Sequence, residues 1–383
     1  MMTYKFKQCQ RPLVILLLIL ASTSCSPPPP HDQLLLSDIL GSNANQEFRQ
    51  VLEKRKFVFP HDHGPHPEYK NEWWYLTGNV HDENGRQFGY QVTFFRIGLA
   101  PPVTSNPIAP QSAWRTHQVW MAHFAITDIK DQHHLHSQRI VRQALNLAGA
   151  STDPVKIWLE NWQLMGQEDD QHGFPWQLNL QDEQMSVNFS LTSHKPVVLQ
   201  GDEGLSQKSP AAGNASYYYS LSRLKTQGRL NIGEHNYQVT GTSWLDREWG
   251  SSQLGDKQIG WDWFSVQLHD HQELMYYQLR SKDTQVHPSS QGKWIDQAGN
   301  TKSIRPSEIQ LTPLAWWTTE DGKKFPIKWQ LQYPNKNSDW IIEAQVADQY
   351  MHTLVRYWEG SVSIVDAHTG QTLGVGYLEM TGY

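Results

Sequence analysis

From Phe57 to the end of the chain, apolar and polar residues alternate with the two-residue period of strands. Trp73 to Val80, Gln87 to Ile97 and Val119 to Thr127 are rich in aromatic and β-branched residues. Asp82-Glu-Asn-Gly85 reads as a hairpin turn between the first two. The pattern continues through Val155 to Trp162, Trp176 to Leu180, Met185 to Leu191, Ser216 to Leu224 and Tyr237 to Thr242. After Gly260 come Trp261 to Leu268, Glu273 to Arg280, Ile327 to Gln332, Trp340 to Val346, Val355 to Val365 and Thr372 to Glu379. The stretches His269 to Gln272 and Asp366 to Gly370 read as hairpin loops. No long amphipathic helix is visible. Only Gln33 to Lys56, where Leu mixes with polar residues, has room for one or two short helices.

Many antiparallel strands with short turns predict an all-β protein of barrels or sandwiches. One barrel takes roughly 150 residues, so two fit this body better than one. The boundary is expected near Gly250 to Gly260, giving domains over residues 57–255 and 256–383. The loops Ala100 to Arg115 and Gln200 to Ala215 are rich in Pro, Gly and Ser. They are too long for hairpins and are expected to cover a barrel mouth.

The N-terminus follows another pattern. Lys5, Lys7 and Arg11 precede an apolar run from Leu13 to Ala21 and small residues up to Cys25. This is a secretory signal, too short for a committed transmembrane helix. Ser22-Thr-Ser-Cys25 is similar to a lipoprotein box, with Ser22 where Leu is usual; ordinary signal cleavage is the alternative. The expectation is a signal over residues 1–24, a lipidated Cys25 and a tether over 25–56, whose proline run Pro27 to Pro30 is a stiff spacer. That predicts an exported, periplasmic lipoprotein held to a membrane surface, the outer membrane being favoured because Ser26 follows the cysteine.

Composition narrows the chemistry. There are 2 cysteines. Cys9 leaves with the signal, so with Cys25 at the tether the folded body has no thiol. Disulfides, cysteine nucleophiles and thiolate metal sites are excluded there. The formal charge is −6. Losing Lys5, Lys7 and Arg11 makes it about −9, with no long basic run, which argues against nucleic acid. The 17 Trp and 15 Tyr suit barrels and pockets for apolar ligands, and plain β cores as well. No GxSxG elbow, phosphate-binding glycine loop or dinucleotide fingerprint occurs.

The chemistry concentrates in Gly241-Thr-Ser-Trp-Leu-Asp-Arg-Glu-Trp-Gly250 and Gly260-Trp-Asp-Trp-Phe264. Carboxylates among large aromatics can stay protonated near neutral pH and donate a proton to an apolar substrate. Alternation puts Trp244, Asp246 and Glu248 on one strand face and Leu245, Arg247 and Trp249 on the other. Asp262 shares its face with Phe264, Val266 and Leu268, so it is the carboxylate most expected to be buried. Pairing with Arg247 or a histidine as a core ion pair is the alternative. A second constellation, Pro60 to Tyr75, carries His61, His63, His66, Asp62, Glu68 and Glu72. It lacks an HExxH pattern, and its prolines make it an irregular loop. It reads as a polar lid packed on the strand of Trp73 and Trp74, with no metal. His123 sits inside an apolar strand, and His133-His-Leu-His136 reads as a solvated turn.

The segments HDHGPHPEYKNEWWYLTGNV, FGYQVTFFR, MAHFAITD, ASYYYSLSRL, GTSWLDREWG, GWDWFSVQL and the terminal YWEGSVSIV and GVGYLEMTGY resemble the AttH-like family, related to carotenoid 1,2-hydratases and often labelled secreted hydrolases. The resemblance runs from Phe57 to Tyr383. It implies two lipocalin-like barrels and relatives that hydrate a terminal isoprenoid double bond with no redox cofactor. On that reading Asp262 or Asp246 protonates an alkene, with Arg247 beside them. Trp74, Tyr75, Trp244, Trp249, Trp261, His66 and His123 are candidate ligand contacts, and Glu248 or a histidine orients the water. The expected partner is a hydrophobic lipid or isoprenoid. The alternative is a non-enzymatic lipid or lipoprotein carrier serving an ABC-type transporter.

Overall fold

The period-two pattern becomes two curled antiparallel sheets. A computed structural model describes residue 3 and residues 48–102, 112–167, 172–193, 195–252, 254–255, 258–283 and 285–383. The signal, Cys25, the proline run and most of the tether lie outside the described residues, as does much of the loop after Ala100. The described part of the expected helical segment, residues 48–56, is not helical; Val51 forms a β-bridge with Gly213 instead. No α-helix occurs among the described residues, and three short 3-10 turns interrupt the strands.

The first sheet runs, in spatial order, through His133–Arg142, Gln118–Asp128, Gln87–Gly98, Asn71–Asp82, His235–Gly250, Ala215–Ile232 and Met185–Ser193, then through short strands back to Ala148–Thr152. The second runs from Thr301–Ile304 and Gln291–Ile295 through Glu273–Ser281, Gln258–Leu268, Thr372–Met380, Tyr357–Asp366, Ser338–Ala344 and Lys324–Tyr333 to Gln310–Thr318. These are the two lipocalin-like β-barrels, the second more open.

Several strands exceed or correct the sequence reading. His133 to His136 is no turn. It opens the strand His133–Arg142, paired with Gln118–Asp128. Its alternation was masked because the strand lies at the sheet edge and both its faces carry polar residues. Ala148–Thr152, Gln291–Ile295, Thr301–Ile304 and Gln310–Thr318 also went unpredicted.

Inward faces fill each barrel with aromatic side chains. Trp74, Trp120, Trp162, Trp176 and Trp249 are buried in the first; Phe264, Trp294, Trp329, Trp340 and Trp358 in the second. Burying such a side chain contributes about 1.5–3 kcal/mol. The outward faces of strands near the spine of each sheet pack against each other. Gln91 donates to Glu359 at 2.8 Å, and Gln267 donates to the carbonyls of Ser222 and Ser243 at 2.7 and 3.0 Å. Glu273 takes Lys195 at 2.6 Å and Arg223 at 2.5 Å. The approach is close enough that a Cβ on Gly89 would lie 2.7 Å from Ser361 Cβ. The loop Gln200 to Ala215 packs Leu205 against the core of the first barrel and pairs Gly213 with Val51. It bridges the sheets beside their junction, through Ser206 to Tyr277 at 2.9 Å and Gln258 to the Lys208 carbonyl at 2.6 Å.

Candidate functional site

Where the outward faces diverge, they leave a narrow cleft that is partly open to solvent. One wall is Trp73, Tyr75 and Phe95 of the first sheet; the other is Trp261, Trp263 and Tyr357 of the second. Tyr75 meets Trp263 edge to face at 5.1 Å. Such apolar walls enclosing a few polar groups are the usual make-up of a small-molecule site.

Four carboxyls enter this cleft. Asp246 and Glu248 come from His235–Gly250, and Glu359 and Glu379 stand directly opposite each other on neighbouring strands of the second sheet. Asp246 is held by three neutral donors, Trp244 Nε1 at 2.6 Å and the hydroxyls of Tyr218 and Ser220. Burial outweighs these donors and pushes it up to about 7. Glu248 accepts from Lys208 at 2.9 Å and from Ser216. Burial pulls the Lys208 ammonium down, but Glu248 and Tyr277 more than offset this and leave it above its ordinary value.

The Glu359–Glu379 pair has no such cation. Burial pushes Glu359 up to about 7, outweighing the Tyr75 hydroxyl and the Gln91 amide. Burial and the Glu359 charge push Glu379 well above the carboxylate range. Two like acids side by side cannot both ionise cheaply, so the pair holds a proton at neutral pH. Glu359 Oε1 and Tyr75 Oη are buried and make no well-formed hydrogen bond among the described residues.

His123 stands behind this wall. Its Nδ1 lies 2.6 Å from Tyr357 Oη and its Nε2 3.3 Å from Gln138 Oε1. Gln138 Oε1 also accepts from the Leu354 amide at 2.8 Å, which marks it as an acceptor. Nε2 therefore carries the proton, and Nδ1 accepts from Tyr357. Burial pushes the imidazole down to about 3, so it is neutral. The Tyr357 oxygen in turn accepts from the Gln91 amide at 3.2 Å.

The sequence-predicted residues divide between three places. Asp246, Glu248, Tyr75 and Trp261 line the cleft, Trp244 backs Asp246, and His123 backs Tyr357. Arg247, Trp74, Trp249 and His66 belong to the first barrel's interior instead. There Arg247 pairs with Glu72, donates to the Gly64 carbonyl at 2.6 Å and lies 3.8 Å over Trp74, and His66 stacks on Trp249 at 3.9 Å. Burial pushes Glu72 up, but Arg96 and Arg247 override it and hold the carboxyl well below its usual range. Asp262 is buried in the second barrel, away from the cleft; Tyr383 donates to it at 2.8 Å, and Arg280 forms an ion pair with it at 3.3 Å. Its partner is Arg280, not Arg247, because Arg247 points into the other barrel. Burial still leaves it raised.

His61, Asp62 and His66 bring donor atoms within 4.8 Å of one another. Asp62, however, already accepts from Arg55 at 2.7 Å, from His66 at 3.2 Å and from the Val58 amide at 2.7 Å. With a guanidinium on its carboxylate, this cluster is an ion-pair network that anchors the Pro60 to Tyr75 segment.

Sequence reasoning missed Glu359, Glu379 and Lys208. A usable signal lay in the adjacent aromatics Tyr357-Trp358, Trp73-Trp74-Tyr75 and Trp263-Phe264. A strand with large aromatics on both faces is buried on both, so a carboxylate on either face is buried too.

A model of the AttH-like family matches residues 50–383. The chain is similar to the crystal structure of an AttH protein from Nitrosomonas europaea, with 32% identity and a TM-score of 0.77 over 88% of this chain and 100% of that one. It is also similar to kievitone hydratase from Nectria haematococca, at 13% identity and a TM-score of 0.63 over 88% of this chain and 98% of that one. CghA matches at 12% identity and a TM-score of 0.51 over 91% and 98%. These last two likenesses establish a shared fold. No curated protein sequence matches the chain. The family match takes in both barrels and every residue of the cleft, and the chain belongs to the AttH-like family.

Proposed function

We propose that the cleft binds a hydrophobic molecule and adds water across one of its carbon–carbon double bonds, using only side-chain acids and bases. The observation that carries this reading is the Glu359–Glu379 pair, a buried and a half-buried acid directly opposite each other on neighbouring strands beside aromatic walls, both pushed above the carboxylate range. The protonated member gives its proton to one alkene carbon, whose π electrons form the new C–H bond. The neighbouring carbon becomes cationic under the ring faces of Trp73 and Trp261. Water attacks that carbon, and its surplus proton passes to Asp246, which sits near 7 and is poised to accept it. Asp246 releases that proton to solvent and the glutamate pair takes one back through the open mouth, so the balance is the addition of one water molecule with no change in electron count. Three unpaired acids in one cleft favour catalysis over carriage, and the fold shared with kievitone hydratase is consistent with this chemistry.

The test is turnover of an isoprenoid alkene in 18O-labelled water. The expected product is an alcohol carrying the label, and Glu359→Gln should lower kcat by about 100- to 10,000-fold. If the wild type binds such alkenes and never hydrates them, the enzymatic reading falls and a lipid carrier takes its place.

We also propose that the protein is exported and tethered to the outer membrane through an acylated Cys25. The basic start, apolar run, small residues and proline spacer support this. Cys25→Ala should release the protein into the soluble fraction or block processing. Unchanged fractionation, with no acyl mass on the wild type, would sink the idea.

A further inference from the structure

We infer that the cleft is a receptor for a cationic amphiphile, an apolar chain ending in a quaternary ammonium or sulfonium centre. The inference takes the site from the reading above and does not depend on turnover. It starts from the balance of charge. Among the described residues lining the cleft, the carboxyls are Asp246, Glu248, Glu359 and Glu379, and the one cation is Lys208. Lys208 is committed to Glu248 at 2.9 Å and lies 4.4 Å over the Tyr277 ring. Three acids remain with no counterion. Their other partners are neutral: the Gln91 amide, the Trp244 indole and the hydroxyls of Tyr218, Tyr75 and Tyr357. His123 is neutral and reaches the cleft only through Tyr357.

The walls have the same preference. Trp73, Tyr75, Trp261 and Trp263 turn rings toward the cleft, and ring faces attract cations. An anionic ligand would meet unneutralised acids. A neutral one would leave them protonated and draw nothing from them. A cation lets them ionise, so its binding drives protons into solvent. Alkene protonation creates a positive centre at this same place, so a stable cation of similar shape mimics that state and binds more tightly than the neutral alkene.

The probes are octyltrimethylammonium, its uncharged isostere 2,2-dimethyldecane and octanoate, read by tryptophan quenching and by calorimetry in two buffers of different ionisation enthalpy. The ammonium should bind at least about tenfold more tightly than the isostere. It should release protons, and its affinity should rise from about pH 6 to pH 8, because Asp246 and Glu359 titrate near 7. The double variant Asp246→Asn with Glu359→Gln should bring the ammonium and the isostere to near parity and abolish proton release. Both changes keep side-chain volume, and a wild-type melting temperature and circular dichroism spectrum would confirm the fold. Equal affinity for the ammonium and its isostere, or the absence of proton release, would overturn the inference. The two readings fail separately. An alkene that is hydrated while the ammonium binds no better ends this one. A tightly bound ammonium with no hydration of any alkene ends the other.

Discussion

Glu72 and Glu359 are equally buried, each with 1% of its surface exposed, yet they meet opposite electrostatic fates. Glu72, inside the first barrel, lies between Arg96 and Arg247 and stays ionised. Glu359, between the barrels, has an amide, two phenols and another acid for company, and is driven up to about 7. Desolvation acts on both. What separates them is whether a fixed cation repays it. The paired acid is structure; the unpaired one can exchange a proton. Burial of a carboxylate therefore says little about function until its counterion has been located.

The comparison can be broken most sharply at Glu359. Glu359→Gln should cost about 100- to 10,000-fold in turnover while leaving stability unchanged or higher. A variant that melts early would place Glu359 with the structural acids. Arg247→Met should do the reverse: it strands Glu72 without one of its cations and should cost about 3–5 kcal/mol in chemical denaturation, with normal turnover per folded molecule.

The pH profile tests both kinds of acid together. Glu359 and Asp246 hold protons when folded that the unfolded chain has already released above pH 4 to 5. Their contribution to stability is therefore full below that range and is lost as pH rises through about 7, on the order of 3 kcal/mol for Glu359. Glu72 has the opposite sign: its contribution is present above its unfolded value and is lost on acidification. Melting temperature should fall from pH 5 to pH 8, and the double variant Asp246→Asn with Glu359→Gln should flatten that fall. A profile the variant leaves unchanged would remove the cleft acids from the account.

Asp262→Asn is the finer cut. It removes the charge opposite Arg280 and should cost about 1–3 kcal/mol with turnover intact. Loss of turnover alone would return Asp262 to the chemistry. Smallest of all, dithiothreitol should not move the melting temperature, since the body after Cys25 contains no cysteine.

Strand alternation was legible and informative. It put Asp246 and Glu248 on one face and Arg247 and Trp249 on the other, and the structure keeps that division. It also placed Asp262 with Phe264 and Val266, in what proves to be the second barrel's core. The sequence could not tell what would cover the outward faces. An outward face becomes interior only when a second sheet covers it, and that pairing joins residues such as Gln91 and Glu359 that no local pattern connects. The aromatics flanking Glu359 signalled burial on both faces, but not the cleft that it enters. Asp262, on an obviously apolar face, was the legible acid, and the structure places it outside the cleft. The partner of Asp262 escaped for the same reason: Arg280 comes from the adjacent strand, whereas the nearer arginine in sequence faces another core.

The first sheet joins Asn71 to Gly250, and the second joins Gln258–Leu268 to Thr372–Met380. Pairings this distant in sequence must close large loops before any contact rewards them, which makes folding slow. The cleft sets a further condition. Asp246 and Glu248 come from the first sheet and the Glu359–Glu379 pair from the second, so the four carboxyls meet only after both of these long-range closures are complete. The acid cluster is thus a late product of folding, and any partly folded chain lacks it.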